Sequence, residues 1–175
     1  MISHRTGPQT TRIEHRAFTP DDAEVFFRLN SHPEVMRYTG EPPLESVEGA
    51  RQAIISYPDF ETVGYGRWAC VLRESGAVIG FCGLKYLPEL DAVDVGFRFF
   101  PEYWGQGLGT EVCGASIDFG FDTLKLDSII GLVLPENSAS IRVLEKCGMH
   151  QNGSVEFDGD HALKFEITQR SRPNP

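Results

Sequence analysis

The run from Val93 to Glu111, VDVGFRFFPEYWGQGLGTE, carries the residue types best suited to chemistry in this chain. Asp94 is the one acidic residue in a mostly apolar strand, Pro101 breaks the strand, and Gly105-Gln106-Gly107-Leu108-Gly109 opens an amphipathic helix almost without side chains. Glycines there let a ligand approach the backbone. The unpaired N–H groups and the positive end of the helix dipole then form an anion site without a basic residue. A phosphate group of a cofactor is the anion such a site suits.

A second grouping lies further on. Asn137 and Ser140 are one turn apart on the same side of a helix start, an amide and a hydroxyl whose plain reading is capping of that helix. Asp94 shares a strand face with Gly96 and Arg98, so it reads either as a proton acceptor or as one half of a structural pair with Arg98. Nothing basic is placed by the sequence so as to activate Cys147, which reads as a core thiol at the helix end. The four cysteines form no CxxC pair and sit in apolar segments, as buried thiols of a reducing cytoplasm would. The five histidines share no metal-ligand spacing, and no metal is expected.

Positioning these residues requires a frame, and the periodicity supplies one. Thr11 to Ala17 reads as a first strand. Thr19-Pro20-Asp21-Asp22 starts a helix faced by Ala23, Phe26 and Phe27, ended by His32-Pro33, with one further turn over Glu34 to Tyr38. Ser46 caps a second helix whose Ala50, Ala53, Ile54 and Tyr57 share a face. Arg67–Arg73, Ala77–Tyr86 and Ala92–Phe100 then form an antiparallel meander, turning first at Glu74-Ser75-Gly76. The helix after the glycines shows the stripe Leu108, Val112, Ala115, Phe119. It leads to an apolar strand, Ser128 to Leu134, which can lie parallel to its predecessor only through that helix. Asn137 or Ser138 caps a helix running through Cys147, ended by Gly148. A hairpin of His150–Phe157 and His161–Thr168 closes the chain. The segments 1–10 and 170–175 read as flexible ends of a single domain spanning 1–175.

Composition excludes some functions. A net charge of -9 and a pI near 5.0 disfavour nucleic acid, whose binding relies on Lys and Arg against phosphates. No apolar run reaches the roughly 18 residues of a membrane span. At 175 residues one domain with a full core suffices. A soluble cytoplasmic protein, monomer or homodimer, is expected. Two phosphate motifs also fail: a Walker loop would need Lys where Gly109 stands, and a dinucleotide fingerprint would need glycine where Thr110 stands. The antiparallel strands before the loop also conflict with a dinucleotide fold.

Trp104-Gly105-Gln106-Gly107-Leu108-Gly109-Thr110-Glu111 resembles the acyl-CoA pyrophosphate loop of the GNAT superfamily of N-acetyltransferases. The similarity extends over about Thr11 to Thr168 and is most specific from Ala92 to Gly148. Pro33-Glu34-Val35-Met36, Tyr103-Trp104-Gly105-Gln106-Gly107 and the stretch Asn137 to Gly148 (NSASIRVLEKCG) are similar to the RimJ/RimL type, the ribosomal-protein N-terminal acetyltransferases. The wider superfamily usually opens its loop with Gln or Arg, where this chain has Trp104. The Tyr-Trp-Gly variant is usual in the RimJ/RimL branch.

The resemblance implies an α/β (α+β) fold: a mixed, mostly antiparallel central sheet of about six to seven strands, splayed at the acyl-CoA site and flanked by about four helices. It implies acetyl-CoA as cosubstrate. Its pyrophosphate would lie on backbone N–H groups of Gln106, Gly107, Leu108, Gly109 and Thr110. The pantetheine would run along the backbones of Phe99 and Phe100, near a bulge at Gly96, and touch Asn137. Asp94 stands where relatives carry an acid thought to accept the amine proton. The tyrosine found in many relatives seven positions after the asparagine is Leu144 here, and the RimJ/RimL branch nominates Ser140 as proton donor instead.

The reaction so implied is attack of an uncharged amine on the thioester. A free α-amine titrates near about 7.7–8.0 and a lysine near about 10.4, so a modest carboxylate suits the former better. The acceptor cleft of the resembling folds corresponds to Tyr38–Leu44 and Val155–His161, where Glu41, Asp158 and Asp160 could attract a cation. Two classes remain beside a catalyst for a protein N-terminus or small-molecule amine: a non-catalytic acyl-CoA-binding module, and the disfavoured nucleotide-binding protein.

Overall fold

The computed structural model describes residues 2–172, and its centre is a seven-stranded sheet in the order β1-β2-β3-β4-β5-β7-β6. The strands are β1 (Ile13–Arg16), β2 (Arg67–Leu72), β3 (Val78–Leu87), β4 (Ala92–Phe99), β5 (Ser128–Val133), β6 (His150–Phe157) and β7 (Asp160–Thr168). Every pairing is antiparallel except β4 with β5. The helices are α1 (Ala23–Leu29), α2 (Pro33–Met36), α3 (Val47–Ile55), α4 (Asp59–Thr62), α5 (Leu108–Asp122) and α6 (Ser138–Lys146). A mixed, mostly antiparallel sheet with four helices of seven residues or more is the architecture expected.

Local signals explain most boundaries. The Ser46 hydroxyl accepts from the Gly49 N–H at 3.0 Å to cap α3, and Asn137 Oδ1 accepts from the Ser140 N–H at 3.1 Å to cap α6. The main core packs α5 on the sheet through Cys113, Ile117 and Phe121 against Trp68, Leu84, Val95 and Ile129, all at most 3% exposed. Burial of that many large side chains fixes the height of α5, and so of the glycine turn at its start.

Three expectations change. The N-terminal segment is not loose: the His4 N–H bonds to the Gly64 carbonyl at 2.7 Å, the Trp68 indole donates to the His4 carbonyl at 2.8 Å, and Gly7 packs under the Trp68 ring. At the other end, Arg172 bonds Asp118 and Asp122 on α5 at 2.7 Å each; the remaining 173–175 of the expected flexible tail lie outside the described residues. The short helix α4 went unread because Pro58 gives only a weak start to a four-residue turn.

Candidate active site

The glycine turn meets α5 in left-handed backbone, with Gly105 at φ +72° and Gly107 at φ +76°, values that side-chain-bearing residues rarely adopt. A Cβ on Gly105 would meet nothing within 4 Å, so the turn is open to a ligand. The first helical bond runs from the Glu111 N–H to the Gly107 carbonyl at 3.1 Å, leaving the N–H groups of Leu108, Gly109 and Thr110 without intrahelical acceptors. One basic residue lies behind the turn, already paired with an acid. Arg12 donates from Nη1 to the Gln106 carbonyl at 2.9 Å and from Nε to Glu111 at 2.6 Å, and its Nη2 is 3.7 Å from where a Gly107 Cβ would be. Thr10 adds a bond to the same carboxylate at 2.6 Å. Together these hold the Glu111 carboxyl below its ordinary value despite partial burial.

From this turn one cavity of about 1290 Å³ runs past the ends of β4 and β5 to the loop after α2 and the β6–β7 turn. Gly107, Leu108, Gly109, Thr110, Asn137, Ser140 and Asp94 all line it. With its Oδ1 used in capping, Asn137 keeps its amide N–H₂ group, and the Ser140 hydroxyl has no protein partner among the described residues. The backbone of β4 is less available than expected. The Phe99 carbonyl already accepts from the Trp104 indole at 2.8 Å, and the Phe100 N–H is turned to the Ile79 carbonyl on β3 at 3.1 Å. Gln106 folds its side chain onto the Glu102 carbonyl at 2.8 Å.

Asp94 has a partner that sequence reading missed. Its Oδ2 takes a bond from Arg67 Nη2 at 2.6 Å and its Oδ1 from the Leu132 N–H at 3.0 Å. Burial pushes the carboxyl up from its ordinary value, while the guanidinium and the N–H pull the other way. Arg98, the partner considered from alternation, instead bonds Asn30 and Glu41 and lies over the Phe81 ring. Arg67 precedes Asp94 by 27 residues and lies two strands away, a relation no local pattern reveals. The interior glycines Gly83 and Gly96 were the available signal, since bare strand positions mark a close approach.

At the far rim, Glu41 pairs with Arg98 at 3.1 Å, and the Asp160 carboxylate fills the place of a Cβ on Gly40, which has φ +69°. The rim therefore joins the loop after α2 to the β6–β7 turn. Cys147 is half-buried against Cys113 and the Thr110 carbonyl. Among the described residues, no group of three or more His, Cys, Asp or Glu side chains could hold a metal ion, and no helix is long and apolar enough to cross a membrane.

Residues 12–150 match the family model described as the acetyltransferase (GNAT) domain, and the chain belongs to that family. Among its relatives, the uncharacterized N-acetyltransferase YoaA of Bacillus subtilis is 33% identical over 147 residues, 83% of each chain. A GNAT-family acetyltransferase of Bacillus anthracis matches in structure with a TM-score of 0.78 at 25% identity, over 93% of this chain and 98% of the other. The fold is shared as well with AAC(6')-Ib solved with ribostamycin and coenzyme A, TM-score 0.77 at 16% identity, over 91% and 95% of the two chains.

Proposed function

We propose that the protein is an acetyl-CoA-dependent N-acetyltransferase of the RimJ/RimL type that acetylates a primary amine by direct attack on the thioester. The observation that carries this is the continuity of one cavity from the unpaired N–H groups at the start of α5, through the parting of β4 and β5, to an acid-bearing rim. A pyrophosphate fits the first region, because the N–H groups of Gln106, Gly107, Leu108, Gly109 and Thr110 surround an open turn. Arg12 adds a positive charge behind it. The pantetheine arm fits along the end of β4 past Phe99 and Phe100, with the Asn137 amide as a donor.

The amine nitrogen forms the new C–N bond as the C–S bond breaks, and the departing thiolate needs a proton. Ser140 lines the cavity with an unengaged hydroxyl and serves as that donor. Asp94 borders the same space, yet any proton passing to it competes with bonds already made to Arg67 and Leu132. An α-amine, partly neutral at physiological pH, has the least need of a base at that position. With Glu41 paired to Arg98, Asp158 and Asp160 are the rim acids that favour an acceptor carrying positive charge, as a protein N-terminus or a polyamine-like small molecule does.

Thermal unfolding with acetyl-CoA, ATP or NAD, followed by thiol release with N-terminal peptides and small amines, tests the reading. Protection by acetyl-CoA alone and turnover with at least one amine are expected. Protection without any turnover would instead favour an acyl-CoA-binding module, a reading consistent with the engaged oxygens of Asp94.

A further inference from the structure

The pairing of the first four strands sets Arg67, Gly83 and Gly96 side by side, since Arg67 is opposite Gly83 on β3 and Gly83 is opposite Gly96 on β4. Two neighbours without side chains leave a bare lane across the sheet. The Arg67 side chain lies along it: a Cβ on Gly96 would come within 2.6 to 2.8 Å of its Nη2, Cζ and Nη1 atoms. The guanidinium then gathers the backbones of β3 and β4. Nη1 donates to the carbonyls of Gly83, Gly96 at 3.3 Å and Asp94 at 3.4 Å, and Nη2 donates to the Asp94 carboxyl at 2.6 Å.

That carboxyl passes the hold on to β5. Backbone pairing of β4 with β5 has a single register pair, Asp94 with Ile130. Two residues on, the Leu132 N–H, which a continuing parallel ladder would give to a main-chain carbonyl, goes to Asp94 Oδ1 at 3.0 Å. A side chain thus stands where the two strands part, and Arg67 fixes that side chain.

We propose that Arg67 is a positioning residue of the acetyltransferase site, acting through Asp94 to set the gap between β4 and β5, and that Gly96 is glycine to admit its guanidinium. The inference rests on the proposed acetyl transfer for its kinetic consequence only. Asp94 in this role keeps its bonds throughout turnover and exchanges no proton with the amine.

The test compares Arg67→Met, Arg67→Lys, Gly96→Ala and Asp94→Asn with the parent protein, using two independent readouts. The first is amide hydrogen exchange at Leu132, which needs no substrate. Arg67→Met and Gly96→Ala should each speed that exchange at least about tenfold while strands β2 and β3 stay protected. The second is turnover with the amine that serves the parent protein. A loss of about 100-fold in kcat is expected for Arg67→Met, the scale on which small misplacement acts, with acetyl-CoA affinity kept within about threefold. Gly96→Ala should resemble it, the double variant should be no worse than the worse single variant, and Arg67→Lys should recover part of the rate. The pH profiles of Arg67→Met and Asp94→Asn should keep the parent's shape. Unchanged Leu132 exchange in both Arg67→Met and Gly96→Ala would overturn the brace, and so would loss of one limb of the pH profile in Asp94→Asn alone. Should Arg67→Met not fold, Gly96→Ala and Arg67→Lys carry both readouts. A parent protein that acetyl-CoA does not protect sinks the proposed function, while the exchange result still judges the brace.

Discussion

Of the arginine–carboxylate pairs around the cavity, the two nearest the glycine turn and the strand gap do different work. Arg12 with Glu111 clasps the proposed phosphate end from outside, with side chains 44% and 19% exposed. Arg67 with Asp94 lies in the cavity floor, 17% and 12% exposed, and joins β2, β3, β4 and β5. The first supports a surface already made by backbone N–H groups, so its own chemistry can vary. The second is itself the structure at that point. An exposed pair gains little beyond solvation, whereas removal of one member of a buried pair leaves a charge without a partner.

The contrast can be broken most severely at the phosphate end by attacking the backbone rather than the clasp. Gly107→Val forces a β-branched side chain into left-handed backbone beside Arg12, and acetyl-CoA affinity should fall on the order of 100-fold or more by calorimetry. Unchanged affinity would remove the turn from the binding site. At the buried pair, Arg67→Met should lower stability by about 3–5 kcal/mol in urea unfolding, and a loss below about 1 kcal/mol would make the two pairs equivalent. Glu111→Gln should cost only about 1 kcal/mol or less, shrink further in salt, and weaken acetyl-CoA binding severalfold at most.

The smallest effect separates the pairs by sign. Glu111 is held below its ordinary value in the folded state, so its stabilisation is present above that ordinary value and is lost as pH falls through the lowered one. Asp94 is raised by burial, so the folded state holds its proton more tightly. Its contribution diminishes as pH rises from the ordinary value through the raised one. Melting temperatures followed against pH should therefore rise less steeply with pH in Glu111→Gln than in the parent, and more steeply in Asp94→Asn. Parallel curves for both variants would erase the distinction.

The same contrast explains what sequence could tell. The glycine turn is local: three glycines, a helix start and a preceding strand lie within one short run, and each dictates its own conformation. Caps at Ser46 and Asn137, the meander and the final hairpin were legible for the same reason. The buried pair was not, because Arg67 and Asp94 become neighbours only after β3 is laid between their strands. The order of the last three strands, with β7 between β5 and β6, is equally a matter of tertiary fit. Residues 4–7 looked loose for want of apolar side chains, although their backbone supplies partners to Gly64, His15 and the Trp68 indole. Trp104 was read as a family variant, while its indole takes the carbonyl of Phe99, one of the two residues along whose backbones a ligand was expected to run.

The lane formed by Arg67, Gly83 and Gly96 constrains how this chain can diverge. Any side chain at position 96 collides with the guanidinium, and loss of the guanidinium strips Asp94 of its partner, so a single substitution at either place starts from a disadvantage. Relatives that have given up the arginine should have given up the glycine at 96 as well, and chains with one change but not the other should be scarce. Drift in this protein is thus expected to be free along the outer clasp and to occur as linked replacements across the three strands.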